Sequence, residues 1–187
     1  MAPNLLEDIE RFREITIETK RLFDGQLLKV NVDKARLGDG TIVHREWIKH
    51  PGACAIVPLF DNKDTILLRQ YRYGPARMFW EVPAGKIDSG EPIEKTASRE
   101  LLEETGFRAK TFAKIGHFYP AIGFCDEIIH VFVAQDLSFE ASNTDEDERV
   151  DALRLPLDTV FAMLDSGEIE DGKTIIVLEM LRKHLRS

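Results

Sequence analysis

The chain has 187 residues, 43% of them hydrophobic, and a net charge of −8. That length supports one sizeable core with a small appendage, and the acidic balance excludes a general binder of nucleic acid or anionic membrane, which needs a basic face. No apolar run approaches the ~18 residues of a membrane span, and the opening MAPNLLEDIERFREI shows neither the basic flank nor the apolar run expected of a secretory signal. The two cysteines, Cys54 and Cys125, stand in no metal-like spacing, so a reducing, cytoplasmic compartment is expected.

In chain order, residues Leu5 to about Ile15 are expected as a short charged helix or an extended arm. RLFDGQLLKVNVDKARL and TIVHREWIKH read as antiparallel strands, the first broken at Asp24-Gly25 and the two joined at Gly38-Asp39-Gly40. ACAIVPLF, the turn DNKD and TILLRQYRY read as a second hairpin with apolar, core-like strands. FWEVPAG reads as a short strand ending at Pro83. Pro92 suits the first turn of a helix and Gly106 the position just past its end. IGHFYP and EIIHVFVAQDL are predicted strands separated by the loop AIGFCDE. The acidic stretch SNTDEDE then precedes a helix near Pro156–Ser166 and a last amphipathic helix near Lys173–Leu185. One αβ domain, residues 49–187, with an N-terminal arm and antiparallel β-strand extension over 1–48, is the organisation this pattern predicts.

The helix between Pro92 and Gly106 carries the chemistry. At about 100° per residue, Glu104 lies about 40° from Glu100 and Glu103 about 60° to the other side, so three carboxylates share one arc. Ile93, Ala97 and Leu101 form an apolar stripe at the edge of that arc. Like charges at this spacing repel by a few tenths of a kcal/mol per pair, and at the border of a core they are expensive to leave uncompensated. Three glutamates alone most often make a solvated acidic face; a hard divalent cation such as Mg²⁺ or Mn²⁺ is the alternative that offsets the repulsion.

The surroundings favour the cation. From Gly85 the chain follows G-x5-E-x7-R-E-U-x-E-E-x-G-U (U apolar) at every specified position: Gly85, Glu91, Arg99, Glu100, Leu101, Glu103, Glu104, Gly106 and Phe107. A chance match is on the order of 10⁻⁹ per starting point at ordinary residue usage. The sequence therefore resembles the Nudix hydrolases. The resemblance implies an α/β fold, an α/β/α sandwich with a mixed central sheet, and hydrolysis of a nucleoside diphosphate linked to another group. It makes Glu100 and Glu104 cation ligands, with Glu103 joining for an additional ion and serving as a candidate catalytic carboxylate. It also makes Arg99 the group that orients a box carboxylate, with Glu91 as candidate partner.

Outside the box, HPGACAIVPL, LLRQYRYG, WEVPAGKID and FYPAIGFCDE resemble the ADP-ribose and nucleotide-sugar pyrophosphatases over roughly residues 22–140. By that resemblance the carbonyl of Ala84 ligates a cation, and Arg72, rather than Arg69, meets substrate phosphate. Glu127 falls where the family's loop glutamate activates water or binds a cation, with Asp126 as the neighbouring candidate. Ile122 replaces the proline usual in ADP-ribose hydrolases, which widens the expected substrates to nucleoside diphosphate sugars such as GDP-mannose. By the same resemblance the N-terminal extension implies a homodimer, with Trp47 expected to stack on a base and Arg45 or Lys49 to meet phosphate; the alternative for Trp47 is plain packing. His44, His50, His117, His130 and His184 show no ligand spacing and are expected to be structural. A nucleoside triphosphate pyrophosphatase and a catalytically silent nucleotide sensor remain the rival readings. Retention of Glu91, Glu100, Glu103 and Glu104 speaks against the silent sensor, and QYRYG with the long extension against triphosphate cleavage.

Overall fold

The computed structural model describes residues 9, 12–61, 63–141 and 149–186. The arm expected over 5–15 lies mostly outside them, as does the acidic stretch 142–148. Ile15 already opens a strand. The chain divides into two compact units, Met1–His50 with Ala121–Glu127, and Pro51–Pro120 with Ile128–Ser187.

The first unit is an antiparallel sheet of β1 (Ile15–Asp24), β2 (Lys29–Arg36) and β3 (Ile42–Lys49), in that order. Its turns follow from local chemistry. Gly25 donates its N–H to the Leu28 carbonyl at 3.0 Å, and a Cβ there would lie 2.5 Å from the Phe23 ring. In the second turn Gly40 takes φ 89°, and the Asp39 carboxylate accepts the Thr41 N–H at 2.9 Å, a turn-forming contact typical of aspartate. Every residue of β1 is exposed, apolar Ile15, Ile17, Leu22 and Phe23 included. The segment Ala121–Glu127 runs along the end of β3: Ile48 N–H donates to the Phe124 carbonyl at 2.8 Å and Asp126 N–H to the Ile48 carbonyl at 3.3 Å.

The second unit holds a mixed four-stranded sheet, order β7-β4-β9-β8, and a three-stranded antiparallel sheet, order β10-β5-β6. The strands are β4 (Ala53–Pro58), β5 (Asp64–Arg72), β6 (Arg77–Glu81), β7 (Ala84–Lys86), β8 (Phe107–Phe118), β9 (Ile129–Phe139) and β10 (Val150–Pro156). The parallel pair is β4 with β9. The hairpin expected from ACAIVPLF and TILLRQYRY is a correction: β4 and β5 enter different sheets. The turn itself forms, with Phe60 N–H on the Asp64 carbonyl and a lone bridge from Leu59 to Thr65. Beyond it β4 takes β7 and β9 as partners, and β5 takes β6 and β10. β10 has no counterpart among the expected strands.

Helix α1 (Ile93–Thr105) begins after Pro92 and stops at Gly106, whose φ of 75° is the left-handed conformation that a Cβ disfavours. Helices α2 (Leu157–Asp165) and α3 (Gly172–His184) follow, α3 capped by Asp171, whose carboxylate accepts the Thr174 N–H at 3.0 Å. Alternation along the central strands builds the layers. Cys54 and Ile56 of β4 with Phe132 and Ala134 of β9 pack against Ala97 and Leu101 of α1. Ala53, Ala55 and Val57 with Val131 and Val133 pack on the other face against Val177, Leu178 and Leu181 of α3. The second unit is thus an α/β/α sandwich, with the carboxylate helix forming one outer layer.

Candidate active site

Helix α1 lies on its sheet by Ala97 and Leu101, both fully buried, and this sets the direction of the carboxylates beside them. Glu100 and Glu104 are buried at 9% and 6% exposure. Their burial is met by hydrogen bonds. Ala84 N–H donates to Glu104 Oε2 at 2.8 Å, and Arg99 Nη1 donates to Glu100 Oε1 at 2.7 Å and Glu103 Oε2 at 3.0 Å. The same guanidinium reaches Glu91 through Nε (3.3 Å) and Nη2 (3.0 Å), and the Lys86 carbonyl at 3.0 Å. Arg99 is therefore the hub of the loop before α1 and of the helix itself, as expected of a planar fork with five donors. Its hydrogen bonds to Glu91 hold its own pKa above the usual range. Reciprocally, Arg99 and then the Thr96 hydroxyl hold the Glu91 carboxyl down at about 2, against the raising effect of burial.

Gly85 is where the strand comes closest to the helix. A Cβ at that position would fall 1.9–2.2 Å from the Glu100 carboxylate, so only glycine lets the acid lie against β7. On the adjacent strand, opposite Gly85, the Cys54 thiol donates to the Ile93 carbonyl at 3.3 Å, and burial followed by the Glu100 charge pushes it up to about 12. Hard oxygen donors, Glu100, Glu103, Glu104 and the Ala84 main chain, make a set whose chemistry suits a divalent cation. Among the described residues no three His, Cys, Asp or Glu groups converge as a preassembled ligand cluster. Arg99 accounts for part of this, because it draws Glu100 and Glu103 onto its own charge.

On the neighbouring sheet, Arg72 grips Glu81 with both arms, Nε–Oε1 2.6 Å and Nη2–Oε2 2.7 Å. Lys173 Nζ donates to the same Glu81 Oε2 at 3.0 Å and to Asp171 Oδ2 at 2.9 Å. Burial raises the Glu81 carboxyl, but Arg72 and Lys173 outweigh it and the net shift is downward. These four residues, with Tyr73 and Phe79, line a cleft of about 450 Å³. Glu81, Asp171 and Lys173 escaped the sequence reading because Lys173 stands 92 positions from Glu81. The usable local signal was the D-x-x-T cap at Asp171 and Thr174, which marks a helix start and no more.

The remaining expected residues fall in the first unit. Arg45, Trp47 and Lys49 alternate on one face of β3, opposite Asp33, Asn31 and Lys29. Arg45 pairs with Glu14 through Nε (3.0 Å) and Nη2 (2.8 Å), and Lys49 Nζ with Asp126 Oδ2 at 2.5 Å. Trp47 Nε1 is buried and, among the described residues, has no hydrogen-bond partner. Asp126 also accepts the His50 N–H at 2.7 Å. Burial raises its carboxyl, and the Lys49 and His50 contacts bring it below the usual value. Asp126 thus fastens the loop to β3. Glu127 stands with Oε1 3.6 Å from His50 Nδ1, a neighbour the histidine spacing had not suggested.

The NUDIX domain family profile matches residues 49–176. An ADP-ribose pyrophosphatase of Bacillus subtilis (strain 168) is 39% identical over 93% of this chain and 95% of its own length. A methanol dehydrogenase activator of Bacillus methanolicus is 38% identical over 91% and 94%, and a GDP-mannose pyrophosphatase of Citrobacter koseri 31% over 88% and 93%. Among solved structures, one described as an ADP compounds hydrolase superposes with a TM-score of 0.81 at 23% identity, covering 93% of this chain and 95% of that one. That likeness carries the fold, and the sequence relatives carry the family, whose hydrolases generally use divalent metals. This chain is a member of the Nudix family.

Proposed function

We propose that the protein hydrolyses the diphosphate of ADP-ribose or another nucleoside diphosphate sugar, such as GDP-mannose, with Mg²⁺ as its cation and Mn²⁺ as a substitute. Water adds its oxygen to one phosphorus, the bridging P–O bond breaks, and a nucleoside monophosphate and a sugar phosphate leave with the released proton. The observation that carries this reading is the carboxylate set on α1, with Glu100 and Glu103 held by Arg99 and buried Glu104 tied to the Ala84 N–H. The names of the relatives support the substrate class.

Glu100, Glu103, Glu104 and the Ala84 carbonyl would hold the cation. Bound there, it neutralises diphosphate charge and makes water acidic enough to attack at neutral pH. Arg99 holds Glu100 and Glu103 by direct hydrogen bonds, which is a positioning role. Arg72, half-exposed in its cleft, offers a guanidinium already shaped by Glu81 for a phosphate oxygen. Glu127 takes the proton from water as general base, its loop fastened by Asp126 and its carboxylate beside His50. Trp47 stacks on the nucleobase, with Arg45 and Lys49 on the same strand face for phosphate. The exposed apolar ribbon on β1 supports a homodimer built through residues 1–48.

The test is a panel of ADP-ribose, GDP-mannose, UDP-glucose and nucleoside triphosphates with Mg²⁺, the products separated by chromatography. AMP with ribose 5-phosphate, or GMP with mannose 1-phosphate, is the expected outcome. Cleavage of triphosphates alone, or of nothing in the panel, sinks the reading.

A further inference from the structure

The chain changes sheets between Glu81, the last residue of β6, and Ala84, the first of β7. This crossing is short, and its main-chain donors are few. Pro83 has no N–H to give. Ala84 N–H goes to Glu104 Oε2 at 2.8 Å, and Val82 N–H goes to Thr174 Oγ1 at 3.0 Å. The Pro83 carbonyl accepts the Ile56 N–H at 2.8 Å. Two side chains therefore take both available donors of the crossing: one is a box glutamate and the other is Thr174, on the first turn of α3.

Thr174 is fully buried and fully committed. Its hydroxyl donates to Asp171 Oδ2 at 2.7 Å and so turns a lone pair toward Val82, while its N–H donates to the same carboxylate oxygen at 3.0 Å. The cap of α3 thereby orients the hydroxyl that holds the crossing. Further along the same connection, Trp80 Nε1 donates to Glu168 Oε1 at 3.2 Å, Lys173 reaches Glu81 at 3.0 Å, and Arg77 pairs with Glu170. The segment leading into α3 straps β6 along its length, and Thr174 is the contact nearest the box.

We propose that Thr174 is a positioning residue for the cation site: through the Val82 N–H it fixes the crossing that sets Ala84 against Glu104. The proposal rests on the cation-site reading given above. Residues behind a first shell of ligands commonly change metal affinity by about 10–100-fold when altered, because they aim the ligands. Thr174→Val keeps the branched shape and leaves the buried Val82 N–H without its acceptor, whereas Thr174→Ser keeps the hydroxyl.

The experiment measures Mn²⁺ binding to the full-length protein by the loss of the free-ion electron paramagnetic resonance signal, with no substrate present. Thermal unfolding in chelator is measured in parallel. The expected result is Mn²⁺ affinity about tenfold weaker in Thr174→Val and restored to within about twofold in Thr174→Ser. Unchanged Mn²⁺ affinity in Thr174→Val, whatever its melting temperature, overturns the proposal, as does a Ser variant no better than Val. If Thr174→Val does not fold, Thr174→Ala, which leaves room for water at the Val82 N–H, is judged by the same criterion. Glu104→Gln is the reference. Undiminished Mn²⁺ binding in that variant breaks the cation-site reading itself, whereas loss there beside an unaffected Thr174→Val breaks this inference alone.

Discussion

Helix α1 and strand β1 break the usual rule of burial in opposite directions. On α1, Glu100 and Glu104 are nearly sealed from solvent, and each meets an N–H donor placed for it. On β1, Ile15, Ile17, Leu22 and Phe23 are all about half exposed, with no core above them in the chain's own sheet. Buried charge is costly unless compensated, and a large exposed apolar patch calls for a partner surface. The contrast separates two kinds of unfinished business: under the proposed reading the helix awaits a small hard ion and the strand a protein surface.

Breaking the strand side is expected to have the largest effect. A chain lacking residues 1–48 should be aggregated or wholly inactive, as judged by light scattering and by turnover of ADP-ribose. A soluble, active monomer from that truncation removes the dimer reading.

On the helix side, Glu104→Gln keeps the shape but removes charge, so kcat should fall on the order of 10²-fold or more. Because the repulsion with Glu100 also goes, its melting temperature in chelator should equal or exceed that of the parent. Wild-type turnover with Mg²⁺ would place the cation elsewhere.

Glu127 sharpens the comparison because it belongs to the unit of the strand, while the proposed reaction assigns it the activation of water. Glu127→Gln should lower kcat by about 10²-fold while KM moves little, the signature of a contact made mainly in the transition state. An unchanged kcat on both ADP-ribose and GDP-mannose takes it out of the mechanism.

The smallest effect is on acid stability. Arg99 holds Glu91 at about 2 against a usual 4.5. A carboxyl depressed in the folded state contributes stability that is fully present above pH 4.5 and lost as pH falls toward 2. Glu91→Gln should therefore flatten the fall in melting temperature across that window, by on the order of 2 °C after solvent screening. Parallel curves for the two proteins would show that the pairing contributes nothing to folding.

What could be read in advance differs between these regions for physical reasons. The ends of α1 were legible because Pro92 and Gly106 act locally, and its buried face because apolar residues recur at helical spacing. The β4–β5 hairpin was misread because the chain does turn back between Phe60 and Asp64, yet no local signal says that the two strands then part into separate sheets. β10 was missed because its alternation, Leu153-Arg154-Leu155, is too short to stand out and most of its residues are exposed. The box acids and Arg99 lie within a few turns of each other and could be grouped by spacing. Glu81 with Lys173, and Glu127 with His50, meet only through the tertiary fold.

The two free thiols carry a practical consequence. Cys54 is sealed under α1 with its ionisation pushed up to about 12, so it is inert to ordinary alkylating reagents at neutral pH. Cys125, partly exposed two residues ahead of Glu127, is then the one position a maleimide dye will mark. The native chain thus comes with a single-site fluorescent reporter on the loop Ala121–Glu127, and its response to substrate can be followed without engineering a cysteine.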